Sequence, residues 1–267
     1  MKLHDFRNIC FYILLAITSV LILNGCDKNE DVDQTTTSFI CGDTIRDIDG
    51  NMYNTVLIGN QCWMAENLKT THYASDIAIP NVTSITAWEN LGNNNTDDAY
   101  GYYDNSSTNA NIYGALYTWA AAMGDNAVSS SINPSGVQGI CPTGWHLPSD
   151  NEWKQLEMQL GMSQSEADQD VFRGTNQGSQ LAGNSLLWES GSLENNAQFG
   201  TSSFTALPGS FYGIGPFSYL GTKGFWWSST EDDSLTAWYR GLWSSNSEVD
   251  RGILWKSEGL SVRCLKD

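Results

Sequence analysis

The 267-residue sequence predicts an α+β fold of antiparallel β-sheets with two main helices and long loops. Three observations carry this. From Phe204 onward the chain is written in short apolar, Trp-rich runs separated by Gly, Ser, Asn and Asp, the pattern of antiparallel strands. Segments 111–124 and 150–160 place apolar side chains at helical spacing. Segment 74–110 is dominated by Asn, Asp, Ser and Thr and reads as a long excursion with little regular structure.

The N-terminus precedes any folded element. Lys2 and Arg7 are followed by an apolar run from Ile9 to Leu23, interrupted by Thr18 and Ser19. The run suits the core of a signal peptide better than a membrane span. It ends at Leu23-Asn24-Gly25-Cys26, which resembles the lipobox of bacterial lipoproteins, with a diacylglyceryl group expected on the Cys26 thiol and cleavage before it. Residues 1–25 are thus a leader, residues 26–40 an acidic flexible tether, and 41–267 a single domain. An acidic stretch after the lipidated Cys resembles the surface-export signal of Bacteroidetes lipoproteins. The expected location is the outer membrane, lipid-anchored, at the cell surface.

Without the leader, 11 basic side chains face 29 acidic ones, a net charge of −18. Nucleic acid is excluded as a partner, because its recognition needs a basic stripe. Cys41, Cys62, Cys141 and Cys264 remain, an even number in an oxidising compartment, which implies two disulfides with three pairings open. A zinc site is the rival, but no C-x-x-C occurs.

The folded part opens with a β-meander. Asp49-Gly50 and Gly59-Asn60 are turn signals around strand-like sequence carrying Tyr53, Val56 and Ile58, with Trp63 and Leu68 as apolar anchors. In the excursion that follows, Asp97, Asp98 and Asp104 are weak calcium candidates whose spacing matches no EF-hand loop. The helix over 111–124 puts Leu116, Trp119, Ala120 and Met123 on one face and ends at Gly124. At 141–153 (CPTGWHLPSDNEW), Ser149 and Glu152 form a capping box. The helix that follows runs to about Leu160, with Trp153, Leu156 and Leu160 inward and Gly161 at its end. His146, between Trp145 and Leu147, reads as a hydrogen-bonded core residue. A short helix is expected near 163–170. FTALPGSFYG, GFWWSST, TAWYRGLW, RGILWK and GLSVRCLKD then supply three to five antiparallel strands.

Four blocks, DIDGNMYNTVLIGNQCWMAENL, IYGALYTWAAAM, CPTGWHLPSDNEW, and WWSST with VRCLKD, resemble the Fibrobacter succinogenes major paralogous domain in sequence and order over most of 43–267. That family is abundant in surface lipoproteins of Fibrobacteres and Bacteroidetes and is similar to C-type-lectin-like and formylglycine-generating-enzyme domains. The resemblance implies a C-type-lectin-like architecture but no established activity. It also implies a disulfide from the helix region to the last strand, Cys141–Cys264, which leaves Cys41–Cys62.

The chemistry that is missing narrows the function. There is no G-x-S-x-G, H-E-x-x-H or P-loop, and beyond the leader only His72 and His146 remain. Cys264 stands alone in its region, which weighs against the formylglycine oxidase activity. The calcium-ligating E-P-N, Q-P-D and W-N-D triplets of sugar-binding C-type lectins do not occur. No catalytic residue and no cofactor is expected. Six aromatic residues lie between Trp226 and Trp255. Of these, Trp243 and Trp255 are the candidate ligand contacts, Trp243 being expected at the surface, with Glu231, Asp232 and Asp233 as acceptors for hydroxyl groups. The expected function is a surface binding or adhesion module for a glycan or a surface protein. The alternatives are a glycan-active enzyme and a structural component of a surface layer or appendage.

Overall fold

The chain enters its fold through two hairpins. The computed structural model describes residues 38–124, 128–213 and 217–267; the leader, Cys26 and most of the tether lie outside the described residues. Strands β1 (Ile45–Arg46) and β2 (Met52–Tyr53) pair across the Asp49-Gly50 turn, and β3 (Thr55–Ile58) and β4 (Gln61–Met64) across Gly59-Asn60. Asp47 holds the first turn, accepting from the Asn51 backbone N–H at 2.9 Å and from the buried Tyr53 hydroxyl at 2.6 Å.

The excursion is more ordered than its composition suggests. It holds α1 (Ile85–Glu89), N-capped by Ser84, and β5 (Tyr100–Gly101), and leads into α2 (Ser107–Tyr113), N-capped by Ser106. The helix expected over 111–124 does not form as one piece. Gly114, at φ 85° and ψ −169°, ends α2, β6 (Leu116–Tyr117) follows, and Thr118 caps a new helix α3 (Trp119–Met123). The cause is tertiary. The backbone N–H groups of Ala115, Tyr117 and Trp119 donate to the carbonyls of Leu68, Leu260 and Lys256, bonds that a continuous helix would have to give up. A Cβ on Gly114 would lie 2.8 Å from the Leu68 carbonyl oxygen, so close approach of two backbones selects glycine here.

Next come β7 (Trp145–His146) and α4 (Asp150–Gln159), where the Ser149–Glu152 capping box is complete. A second capping box, Ser163–Glu166, starts α5 (Gln164–Ala167), followed by β8 (Val171–Arg173) and α6 (Gln177–Leu181). The stretch 204–213, expected as a strand, makes only isolated bridges. Pro208 lacks a donor, and Thr205 and Ser210 take φ values of 55° and 62°, which interrupt an extended run. Three long strands follow, β9 (Lys223–Glu231), β10 (Thr236–Trp243) and β11 (Asn246–Trp255), and then the short β12 (Leu265–Lys266).

Two four-stranded antiparallel sheets result, β3-β4-β12-β7 and β8-β11-β10-β9, with β1-β2 and β5-β6 as small pairs. In the first sheet Leu265 lies opposite both Trp63 and His146, so the last strand is held between the beginning and the middle of the domain. Both disulfides brace this region: Cys41–Cys62 and Cys141–Cys264 each have Cα atoms 5.8 Å apart. The second sheet has a core on each face. Trp226, Leu242 and Val249 pack with Trp63, Trp153, Leu156 and Phe204, while Phe225, Trp227 and Ala237 pack with Tyr117, Trp119, Leu147 and Leu260. Strand β9 is buried on both faces because a core lies against each, and its outer edge is covered as well: Ser261 exchanges backbone hydrogen bonds with Phe225 and Trp227.

Candidate ligand-binding site

The blocks that carried the family resemblance meet in the interior. Asn67 Oδ1 accepts from Trp226 Nε1 at 2.8 Å and from Arg263 Nε at 2.9 Å, and its amide donates to the Tyr113 carbonyl. His146 is buried, with Nδ1 2.7 Å from Asp267 Oδ1 and Nε2 2.9 Å from Glu152 Oε1. Both ring nitrogens are therefore committed. Helix α4 is fixed to the second sheet by charge. The Asp150 carboxylate takes Arg240 Nη1 at 2.8 Å and two bonds from Arg251 at 2.9 Å, while Glu157 takes Arg240 Nε at 2.6 Å and Arg173 Nη2. Burial opposes ionisation of Asp150, but Arg240 and Arg251 outweigh it and hold its carboxyl well below the usual carboxylate range. These groups are saturated with protein partners and are read as scaffold.

The sequence-named candidates divide between the two ends of the second sheet. Trp255 lies opposite Thr236, the first residue of β10, and the turn from Glu231 to Leu235 closes over the same end. Trp255, Glu231, Asp232 and Asp233 are thus brought into one corner. Trp243 is the last residue of β10, roughly 23 Å away at strand spacing. It is half-buried rather than at the surface as expected: Lys223 Nζ stacks 3.5 Å over its ring, and Phe172 meets it edge-on at 5.2 Å.

Within the corner the acids have different roles. Glu231 Oε2 binds Lys256 Nζ at 2.7 Å. Asp233 Oδ1 accepts from the Leu235 and Thr236 backbone N–H groups and from the Thr236 hydroxyl, which shapes the turn and lowers its pKa. Asp232 is exposed and in no ion pair among the described residues. Trp255 is the most exposed tryptophan, at 46%; eight of the 11 are buried, and Trp238 and Trp243 are half-buried.

Reading the sequence alone missed Leu235, Trp238 and Ile253. Leu235 and Ile253 are each 45% exposed, and Trp238 lies opposite Ile253 with the Arg251 guanidinium 3.7 Å over its ring. Strand alternation was the available signal: 253 and 255 share a face, and cross-strand pairing adds 236 and 238. The calcium candidates are separately engaged. Asp97 accepts from the Gly92 N–H, Asp98 from the Tyr73 hydroxyl, and Asp104 is exposed. Among the described residues no group of three or more His, Cys, Asp or Glu side chains is arranged to hold a metal ion.

The molecule is thus an α+β module with a disulfide-braced, aromatic interior and an exposed corner at Trp255. The chain belongs to the Fibrobacter succinogenes major domain family, whose model matches residues 56–266. No curated protein and no solved structure matches it.

Proposed function

We propose that the protein is a non-enzymatic binding or adhesion module, anchored in the outer membrane by a lipid on Cys26 and displayed at the cell surface, with a glycan or a surface protein as ligand. The observation that supports this is Trp255 in its corner. A large ring is left in water on a rigid strand, beside Ile253 and Leu235, in a molecule that covers every other tryptophan at least partly. Grouped exposed apolar side chains of this kind mark interaction sites, and a ring fixed on a strand loses little entropy on contact. An indole face stacks on sugar rings as readily as on apolar peptide side chains, and Asp232 supplies an acceptor next to it. No cofactor enters this proposal.

Screening the purified protein on glycan arrays and on chromogenic glycosides separates the readings. Discrete glycan hits without turnover, lost in Trp255→Ala, are expected. Turnover abolished by one acidic substitution would favour a glycan-active enzyme, and silence in both assays, with no polypeptide bound either, a structural component of a surface layer or appendage. For the anchor, Cys26→Ser is expected to leave the protein unprocessed or released. A mutant that stays membrane-bound at mature mass contradicts lipidation, and full protection from protease in intact cells contradicts surface display.

A further inference from the structure

Strand β11 is ten residues long, yet only Val249, Asp250 and Arg251 have a neighbour on the β8 side, facing Arg173, Phe172 and Val171. On its other side it is paired with β10 as far as Trp255. Among the described residues, Gly252–Trp255 therefore present one open strand edge. Lys256 N–H donates to the Leu235 carbonyl and Glu258 N–H to the Trp255 carbonyl, so by strand alternation the backbone groups left open on this edge are the N–H and C=O of Ile253 and the N–H of Trp255. Proteins usually guard such an edge with lysine, proline or a bulge, and Gly-Ile-Leu-Trp contains none of these. Lys256 follows directly, but its ammonium is turned inward to Glu231 Oε2 and Asn95 Oδ1 and its side chain is fully buried.

The side chains along this edge are sorted. Leu254 packs on the core, and Ile253 and Trp255 project from the opposite face into solvent. The charge left uncompensated around this edge is negative, since Asp170 pairs with Arg251 and Glu231 with Lys256 while Asp232 is in no ion pair among the described residues. Asp170 lies just before β8, and Asp232 and Asp233 lie in the turn beside Trp255. The two local cations, Arg251 and Lys256, are buried and already ion-paired.

We propose that the open edge of β11 takes up an extended segment of a partner polypeptide, basic and apolar at alternating positions, as an added strand. This rests on the binding-module reading and names the ligand class for it. Hydrogen bonds to the Ile253 N–H and C=O and to the Trp255 N–H supply the pairing, apolar side chains lie beside Ile253 and Trp255, and lysine or arginine reaches Asp232, which is in no ion pair among the described residues. A second copy of this chain fits less well, since edge-to-edge pairing brings the same carboxylates together. A glycan would use the Trp255 ring and leave the edge amides unused.

The test uses the purified full-length chain in detergent. The probes are a fluorescent octapeptide alternating lysine with valine and tyrosine, and a twin carrying N-methyl groups on alternate amides of the pairing edge. The parent peptide is expected to bind, more weakly as salt is raised. Methylation is expected to weaken binding about tenfold or more, with the side chains unchanged. Ile253→Lys, which guards the edge, and Asp232→Lys, in an exposed turn, are expected to weaken it similarly while leaving the melting temperature in place. Equal binding of the methylated twin, or no binding of the parent, overturns the added strand. Glycan hits lost in Trp255→Ala with no peptide binding overturn it as well, and leave the binding-module reading standing. A dimer seen by ultracentrifugation and abolished by Ile253→Lys makes a second copy the occupant and also overturns it. Turnover without any binding that Trp255→Ala abolishes would instead sink the binding-module reading itself.

Discussion

Glu258 and Asp150 are both buried carboxyl groups, and their surroundings drive them in opposite directions. Glu258 is 8% exposed, faces no cation, and its Oε2 finds no hydrogen-bond donor among the described residues. Burial pushes its pKa up to about 7. The folded state then holds a proton that the unfolded state has released, so stability falls as pH rises from about 4.5 to about 7. Glu258→Gln is expected to remove that slope and to stabilise the protein at pH 8 by on the order of 3 kcal/mol. Urea unfolding across pH measures this, and an unchanged slope refutes the assignment. His146 behaves as the reverse chemical type. Burial works against its charge, but hydrogen bonds to Glu152 and Asp267 carry its pKa above the ordinary value. With a carboxylate on each nitrogen, both must donate, which requires the imidazolium. Its contribution is present below pH 6.5 and is lost as pH rises through the raised folded value. His146→Gln is therefore expected to flatten the stability curve at higher pH than Glu258→Gln does; identical windows would contradict the pairing.

At the scale of elements, α4 is attached to the second sheet by an apolar stripe and an ionic cluster together. Trp153 and Leu156 enter the core, and on the same helix Asp150 and Glu157 bind Arg240, Arg251 and Arg173. Three guanidinium groups on β8, β10 and β11 thus converge on two carboxylates of one helix. Removing one partner of a buried cluster leaves unpaired charge. Asp150→Ala is expected to cost about 3–5 kcal/mol, far more than truncation at an exposed position such as Trp255, about 0.5 kcal/mol or less. Denaturant unfolding of the two variants makes the comparison, and similar losses would show that the cluster does not anchor the helix. The capping box links this anchor to the first sheet, because Glu152 accepts from the Ser149 N–H through one oxygen and from His146 through the other.

Across the whole molecule, chain ends that lie far apart in sequence are closed on each other. The last strand sits between β4 and β7, and Cys141–Cys264 spans 123 residues beside it, whereas Cys41–Cys62 spans 21. Chain-entropy reasoning gives the longer loop about 5 kcal/mol and the shorter about 3 kcal/mol. The Cys141→Ala/Cys264→Ala pair is expected to lower the unfolding free energy by more than Cys41→Ala/Cys62→Ala. Equal losses, or a reversed order, would mean that strain or residual structure outweighs loop closure. The Trp255 corner sits on the other sheet, so either variant that still folds is expected to keep that corner's geometry.

What can be inferred from sequence alone is local. Turn pairs at 49–50 and 59–60, the capping box at Ser149 and Glu152, and the short Trp-rich runs of β9 to β11 between Gly, Ser, Asn and Asp each encode their geometry within a few residues, so the hairpins, α4 and the long strands were legible. The amphipathic stripe at 111–124 was equally clear and misleading. Gly114 and the carbonyls of Leu68, Leu260 and Lys256 convert it to helix, strand and helix, and those partners lie up to about 140 residues away in the chain. The candidate site was half legible for the same reason. Aromatic and acidic residues are visible as types, but whether a tryptophan is covered depends on what packs over it. Lys223 and Phe172 cover Trp243, and nothing among the described residues covers Trp255 to the same degree. The open edge of β11 was invisible from sequence, because it exists only where β8 stops short of its neighbour, and strand pairing between segments some 80 residues apart is decided by the tertiary fold.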